Sequence, residues 1–348
     1  MHRSASAVVR LGAVVAAVAL MAGFQPHAFG ERAPSARDGT GPVHHALLVF
    51  SRQICDSLTD QCWEIVVSDA DESHARVVAG PYPRGVWDDH FVANWAPDGR
   101  SVIFMADLGH GQAIWRVRTD GTHLHAAFTP PEGTFLDDGP AFTPDGRHII
   151  FTRCCAPEVA TGYALWSVSA TGRHLRPVTS EAVPPGIDGP SDNLPQVSPT
   201  GDAVTYGRNV VDPSGGALGG RISIAPLPAG DFTDITQPTG LDAGIPNWTP
   251  DGLQIAFQSL AAGGAINVWR VNRNGTGLIQ LTDDGVSLNP SYTPDGQLLL
   301  SRIDDDGGRD LYVARPDGSH PRRIRATEAI ERFPHLIVPR GAADPGRR

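Results

Sequence analysis

The sequence predicts an all-β protein, a six-bladed β-propeller of four-stranded antiparallel blades. Three observations support this fold class. A Pro-Asp-Gly phrase recurs along the 348 residues, a run of alternating apolar residues follows each good copy, and no segment of ten or more residues has the apolar spacing of a helix. Glycine (39 residues) and proline (30 residues) are abundant, as expected for a chain made of many turns.

The recurring phrase defines the strands of each unit. Its prolines stand 47, 55, 51, 44 and 45 residues apart, and they are Pro97, Pro144, Pro199, Pro250, Pro294 and, in a degenerate last copy, Pro339. The phrase predicts a β-hairpin, because alternating residues follow a tight turn. A further run such as residues 114–117 and a second turn such as Asp120-Gly121 add two more strands, and four strands per repeat make a propeller blade.

The pattern begins in the middle of a blade. Residues 45–51 and 64–69 match second and third strands, but no innermost strand precedes them, whereas residues 333–338 match an innermost strand with nothing after it. Pairing of these N- and C-terminal strands would complete the sixth blade and leave no free sheet edge. The propeller is therefore predicted to span residues 45–340, with a tail at 341–348.

The N-terminus has the features of a secretory signal peptide over residues 1–30. Arg3 and Arg10 precede an apolar run at residues 11–24, and a small-residue site follows at 28–30. The run is shorter than the roughly 20 residues of a spanning helix, so no membrane span is expected in the mature chain. Residues 31–44 are polar and aperiodic and are predicted to be a disordered lead-in. The protein is expected to be secreted or extracytoplasmic.

The repeat resembles that of the TolB-like, WD-repeat-like propellers. The shared pattern is aromatic-Ser/Thr-Pro-Asp-Gly, then Ile-x-Phe, then a strand that ends in Asp-Gly, and it covers most of residues 45–340. The resemblance implies the fold of the propeller domain alone, because the α/β domain of full TolB proteins has no counterpart here. Similar propellers precede serine peptidase domains, but the sequence contains no Gly-x-Ser-x-Gly motif.

The two faces of such a propeller differ in this sequence. Turns that join strands one to two and three to four lie on one face, here called the turn face, and their uniform Asp-Gly sequences predict a structural role. The other connections lie on the opposite, loop-bearing face. Those connections vary in length at residues 54–62, 154–162, 209–220 and 304–310, which makes the loop-bearing face the candidate functional face.

Two sets of charged residues are the candidate binding residues of that face. Four arginines share one repeat position and either pack as strand ends or clamp an anion or carboxylate: Arg52, Arg153, Arg208 and Arg302. Six carboxylates precede innermost strands and are predicted to surround the channel mouth: Asp89, Asp137, Asp138, Asp192, Asp242 and Glu331. They could cap loops through backbone N–H groups, or they could hold a cation, orient a basic peptide or supply an acid–base pair.

No cofactor is predicted, although calcium is possible. Residues 304–308 loosely resemble a calcium loop but lack its ligand spacing. Of 13 histidines, only His90 and His335 fall near innermost strands, which disfavours a transition-metal site. Cys55 and Cys62 flank a hairpin loop and are predicted to form a disulfide bond. Cys154 and Cys155 could form a vicinal disulfide, act as a redox-sensitive element or stay reduced.

These observations lead to one expected function and one alternative. A formal net charge of −10 argues against binding to nucleic acid. The expected function is that of a secreted, monomeric, non-enzymatic propeller that binds a protein or cell-envelope component through its loop-bearing face. The alternative is a secreted hydrolase or lyase with a carboxylate or metal site in the channel.

Overall fold

The structure, a computed structural model, describes residues 47–54, 63–82, 92–107, 111–132, 134–154, 163–179, 191–211, 217–305, 307–324 and 330–337. The predicted signal peptide, lead-in segment and tail, together with Cys55, Cys62, Cys155, Asp89 and His90, lie outside these residues. Cys154 is disulfide-bonded. The Cys55–Cys62 bond stays a prediction.

Nearly all regular structure in the described residues is β-strand, as predicted. The strands are β1 (Leu47–Gln53), β2 (Trp63–Asp69), β3 (Arg76–Tyr82), β4 (Asn94–Trp95), β5 (Ser101–Asp107), β6 (Gln112–Arg118), β7 (His125–Phe128), β8 (Phe135–Phe142), β9 (His148–Cys154), β10 (Tyr163–Ser169), β11 (Arg176–Pro177), β12 (Ser191–Val197), β13 (Ala203–Val211), β14 (Ala217–Pro226), β15 (Thr233–Asp234), β16 (Asp242–Trp248), β17 (Gln254–Leu260), β18 (Ile266–Asn272), β19 (Ile279–Gln280), β20 (Ser287–Tyr292), β21 (Leu298–Ile303), β22 (Arg309–Ala314), β23 (Arg322–Arg323) and β24 (Ile330–Ile337). One short 3-10 helix covers Gln237–Thr239.

The strands pair in antiparallel units of four. β4–β7 and β16–β19 each form a separate four-stranded sheet. β8–β11 and β12–β15 form two such units, which the parallel bridge Tyr163↔Ser191 joins into one larger sheet. β20–β23 form another unit, and the bridge Arg309↔Ile330 joins it to the unit made by β24, β1, β2 and β3. Most outer strands have only two residues, which limits the length of exposed sheet edge.

The last strand pairs with the first, as the terminal half-patterns predict. β24 lies antiparallel to β1, with Leu47 opposite Ile337 and Gln53 opposite Ile330. The indole Nε1 of Trp95 in β4 also donates to the backbone oxygen of His335 in β24 (2.9 Å). The C-terminal strand therefore contacts both the first and the second N-terminal units.

The hydrophobic core lies between neighbouring units rather than in one central layer. Phe104 and Val102 of β5 pack with Val49 of β1 in one cluster, and Ile149 and Phe151 of β9 pack with Ile103 of β5 in the next. Further clusters join each later unit to its neighbour, including one that places Leu48 and Phe50 against Leu299 and Leu311. Each sheet is therefore apolar on both faces, which explains the runs of buried residues along the second strands.

Glycines in the second turn of several units allow neighbouring units to approach closely. Gly172, with a φ of 76°, lies so near the preceding unit that a Cβ there would stand 2.5 Å from the oxygen of Ala127. A Cβ at Gly275 would likewise stand 3.2 Å from the backbone oxygen of Ile235. Glycine is therefore required by positive φ and by the contact between units.

We expect Gly172→Ala to destabilise the fold more than Gly240→Ala. Both residues have positive φ, but a Cβ at Gly240 would meet nothing within 4 Å. Gly240→Ala should lower the free energy of unfolding by about 1 kcal/mol through backbone strain alone. Gly172→Ala should add about 1–3 kcal/mol from the clash with Ala127. Urea unfolding of the two variants measures the difference; equal losses would show that the contact between units is not tight.

Candidate functional site

The predicted arginines and those predicted carboxylates that the structure describes lie at the loop-bearing ends of the sheets, and some of them contact one another. The structure describes the side chains of Asp192, Asp242, Glu331 and of all four arginines. Asp137 and Asp138 lie in β8, but their side chains fall outside the described part of the structure. Asp89 falls outside the described residues altogether.

Asp192 and Arg208 form a buried ion pair. Arg208 Nη1 lies 3.2 Å from Asp192 Oδ1, and only 4% and 6% of the two side chains is exposed. Thr179 Oγ1 donates to the other carboxylate oxygen of Asp192 (2.7 Å), and the guanidinium lies over the ring of Phe232 at 3.9 Å. The guanidinium and the carboxylate are thus both engaged within the chain. This geometry ties β12 to β13 at the loop-bearing end.

Arg52 makes a comparable pair in the unit that contains the terminal strands. Its Nε and Nη2 atoms donate to Glu64 Oε2 at 3.2 and 2.7 Å. On its other side Arg52 is opposite Glu331 in the β1–β24 register, and Glu331 is fully buried. A cation thus stands between two carboxylates on neighbouring strands, where burial of charge requires pairing.

Arg302 and Arg153 hold their guanidinium groups against aromatic rings. Arg302 lies 2.9 Å from Asp284 and 5.0 Å from the ring centre of Tyr312. Arg153 is 3% exposed and lies 4.5 Å over the ring of Trp166. Both contacts match the strand-end packing that was one of the two interpretations of these arginines.

Asp242 fixes the hairpin formed by β13 and β14. Its Oδ1 accepts a hydrogen bond from the backbone N–H of Gly220 at 2.6 Å, which is the loop-capping role considered for these carboxylates. These two strands have nine and ten residues, against seven in most second and third strands, so the hairpin projects further than the others. Leu218 near its tip is 57% exposed.

A cavity of about 570 Å³ opens beside β21 and β22. Its walls carry two arginines and three aspartates together with apolar atoms: Asp284, Val286, Arg302, Ile303, Asp304, Asp305, Tyr312 and Arg323. Arg323 pairs with Asp304 (2.6 Å) and with the buried Asp310, so its charge is neutralised from two sides. Burial raises the pKa of Tyr312, which keeps its hydroxyl neutral.

Apolar side chains meet where the first strands of four units converge. Val92, Leu194 and Phe333 are buried in one cluster, and Ile245 packs against it. Leu194, Ile245 and Phe333 each have a positive φ, near 50°, and each precedes a proline at a bulge of its strand. Such conformations cost about 1–3 kcal/mol each for residues other than glycine. Their side chains thereby point to the common centre instead of a sheet face.

Asn289 occupies the same bulge position in β20. It is 3% exposed, its φ is 50°, and its Oδ1 atom has no hydrogen-bond partner among the residues that the structure describes. Two residues beyond the equivalent bulge of β24 stands the half-buried His335. Desolvation lowers the pKa of its imidazole to about 4.

The described residues contain no group of three or more His, Cys, Asp or Glu side chains placed to share a metal ion. In the loosely calcium-like segment, Asp304 is paired with Arg323, and its backbone N–H donates to the oxygen of Gly308 (2.9 Å) in a hairpin turn. Within the same described part of the chain, no helix has the length and hydropathy needed to cross a bilayer.

Comparison with known proteins identifies relatives that match part of the chain. No family model matches. An uncharacterized protein of Agrobacterium fabrum is 27% identical over 168 residues, 47% of this chain and 52% of that protein. A TolB homologue of Chlorobium luteolum is 29% identical over 143 residues, 39% of this chain and 30% of that protein. The matched regions thus span about half or less of these curated relatives.

Solved structures match over most of the chain. TolB from Acinetobacter baumannii superposes with a TM-score of 0.66 at 17% identity, over 85% of this chain and 67% of that one. The fold is a TolB-like β-propeller. A putative TolB from Agrobacterium tumefaciens matches with a TM-score of 0.58 at 19% identity, over 81% and 88% of the two chains. An oligogalacturonate lyase in complex with manganese has a TM-score of 0.53 at 15% identity, over 85% and 86%.

Removal of Asp192 should destabilise this TolB-like propeller severely. Asp192→Ala leaves the guanidinium of Arg208 buried without this carboxylate, and loss of one partner from a buried pair costs about 3–5 kcal/mol. Arg147→Ala is the control, because Arg147 is 80% exposed and lies 3.9 Å from Asp145, so it should cost less than about 1 kcal/mol. Urea unfolding compares the two variants. A small loss for Asp192→Ala would contradict the cost assigned to breaking this buried pair.

His335 should make stability fall in mild acid. Its imidazole has a pKa of about 4 in the fold and 6.5 in its ordinary state, so the unfolded chain binds more protons between these pH values. The neutral imidazole of His335 contributes to stability above this pH window. That contribution is lost as the pH falls through the window, by no more than about 3 kcal/mol. Glutamine is the residue at the equivalent position of another unit, Gln196. His335→Gln should therefore fit the fold and reduce the loss of stability in acid. Unfolding free energies at about pH 7 and about pH 4.5 test this; an unchanged slope would contradict it.

Proposed function

We propose that the chain is a secreted, six-bladed TolB-like propeller, closed by its terminal strands, that binds a protein or cell-envelope component through its loop-bearing face. In this proposal the protein is a monomer that needs no cofactor and acts by recognition rather than catalysis. The signal-peptide pattern of residues 1–30 supports the extracytoplasmic location.

Three contacts support ring closure with six blades. β24 pairs with β1 along its length, and Trp95 of the second blade donates to His335 of β24. The apolar cluster of Leu48, Phe50, Leu299 and Leu311 joins the last complete blade to the blade made by the terminal strands. These contacts match the side-by-side packing of the blades elsewhere in the ring.

One observation carries the binding function: the loop-bearing rim is held rigidly from within. The pairs Arg208–Asp192 and Arg52–Glu64 fix adjacent strands near their ends, and Asp242 fixes the projecting β13–β14 hairpin. The exposed Leu218 near the tip of that hairpin is an apolar group available to a partner. A rigid rim that carries an exposed apolar group binds with a small loss of conformational entropy.

The packing at the centre favours binding over catalysis on the propeller axis. Apolar side chains of Val92, Leu194 and Phe333 occupy the place where the first strands converge. The carboxylate of Asp192, one of the groups predicted at the channel mouth, is neutralised by Arg208. A partner would therefore contact the rim and its loops.

Site-specific photo-crosslinking tests the face assignment. A photoreactive residue at Leu218 should give a discrete adduct with an envelope component in cells that secrete the protein. The matched control is Leu253, which is 61% exposed but lies in the β16–β17 turn on the opposite face. In a second experiment the photoreactive residue stands at Ile54, which is also exposed, and Leu218 is changed to Asp. We expect Leu218→Asp to reduce the yield of the adduct formed from position 54. Adducts from Leu253 alone, or from neither position, would refute binding through the loop-bearing face.

A further inference from the structure

Exposed cationic side chains concentrate on the turn face and rim of two adjacent blades, β4–β7 and β8–β11. We define them as the arginine–histidine patch: Arg100, Arg118, Arg147, Arg173, Arg176, His123, His125, His148 and His174. This concentration contrasts with the net charge of −10 for the whole chain. It lies at the opposite ends of the strands from the loop-bearing face.

The members of the patch are adjacent because strand pairing places them so. Arg118 is opposite Ser101 in the β5–β6 register, so Arg100 lies beside it. His148 is opposite Ser169 at the equivalent end of the next blade, and the backbone oxygen of Arg147 accepts a hydrogen bond from Ala170 (2.7 Å). The two blades touch at this end through Gly172 and Ala127.

The arginines of the patch differ from those of the loop-bearing face in being exposed and, except for Arg147, in making no ion pair within the described part of the chain. The side chains of Arg100, Arg118, Arg173 and Arg176 make no ion pair or hydrogen bond among the residues that the structure describes. Arg147 has only a 3.9 Å contact with Asp145, and its side chain is 80% exposed. An exposed guanidinium without a partner is available to an external anion.

Three aspartates stand among these arginines, but their own turns hold them. Each accepts a backbone N–H of its turn at 2.9–3.0 Å: Asp98 from Arg100, Asp120 from Thr122 and Asp145 from Arg147. The hydrogen bond from the Thr143 side chain also lowers the pKa of Asp145, so this group stays ionised. Five guanidinium groups and three carboxylates leave the patch two net positive charges, with the histidines counted as neutral.

We propose that the arginine–histidine patch binds the surface of an anionic phospholipid membrane, with the phosphate groups as ligands of the unpaired arginines. The residues of the patch lie on the turns and strand ends of β5–β7 and β9–β11, where they are exposed. Leu124, which stands between two patch histidines, is 42% exposed and can enter the interfacial region. Basic residues around an exposed apolar side chain are the usual features of peripheral binding to anionic lipid. This inference concerns another face and does not rest on the proposed function.

Vesicle binding tests the proposal with a matched pair of double variants. Arg118→Ser with Arg173→Ser removes two charges of the patch, and Arg315→Ser with Arg322→Ser removes two exposed charges elsewhere. Arg315 is the equivalent of Arg118 in another blade. The backbone N–H of Arg118 donates to the backbone oxygen of Thr122, and that of Arg315 donates to the backbone oxygen of Ser319, both at 2.9 Å. The readout is cosedimentation of the mature protein, at low salt, with vesicles of equal parts phosphatidylglycerol and phosphatidylcholine.

The wild-type protein should bind these vesicles but not vesicles of phosphatidylcholine alone. Each lost arginine should weaken binding about fivefold, so the patch variant should lose about 25-fold and the control less than about twofold. Equal losses in the two variants, or no binding to the anionic vesicles, would overturn the proposal. Equally tight binding to soluble polyphosphate would show that the ligand of the patch is a soluble polyanion and not the membrane surface.

Discussion

The short distance between neighbouring sheets is the constraint on which the rest of the structure depends. Each blade buries both of its faces against its neighbours, and the backbone of Gly172 comes so close to Ala127 that no side chain fits between them. A gap of even one methyl group between sheets would leave side chains such as Phe104 and Phe151 without contacts on one side. The repeated glycine turns therefore serve tertiary packing as much as local chain reversal.

Charge at the loop-bearing ends of the strands is used mainly inside the protein. Arg208 and Asp192 are nearly inaccessible, and Glu331 is fully buried opposite Arg52. Buried pairs of this kind add little net stability compared with apolar packing, but loss of one partner is costly, so they favour one strand register over others. The ends of these strands are thereby held in a fixed register at the loop-bearing face.

The sequence predicted the strands and the terminal pairing well, because Pro-Asp-Gly turns and alternating runs are local signals. It did not predict that Asp192 and Arg208 pair, since both were candidates for external ligands and only the register of β12 against β13 brings them together. The bulges at Leu194, Ile245 and Phe333 were also missed. A signal existed, because each of these residues precedes a proline near the start of the repeated phrase, but their contact in one cluster depends on how separate units pack against one another.

The two proposed surfaces lie at opposite ends of the same strands, and this arrangement makes them compatible. A seven-residue strand such as β9 spans roughly 23 Å, so a partner on the loop-bearing face would not contact the arginine–histidine patch. The arginines at the two ends also differ in environment: Arg208 is buried in an ion pair with Asp192, whereas Arg118 is exposed. A ring seated by the patch on an anionic surface would direct its variable loops away from that surface, where a soluble partner could reach them.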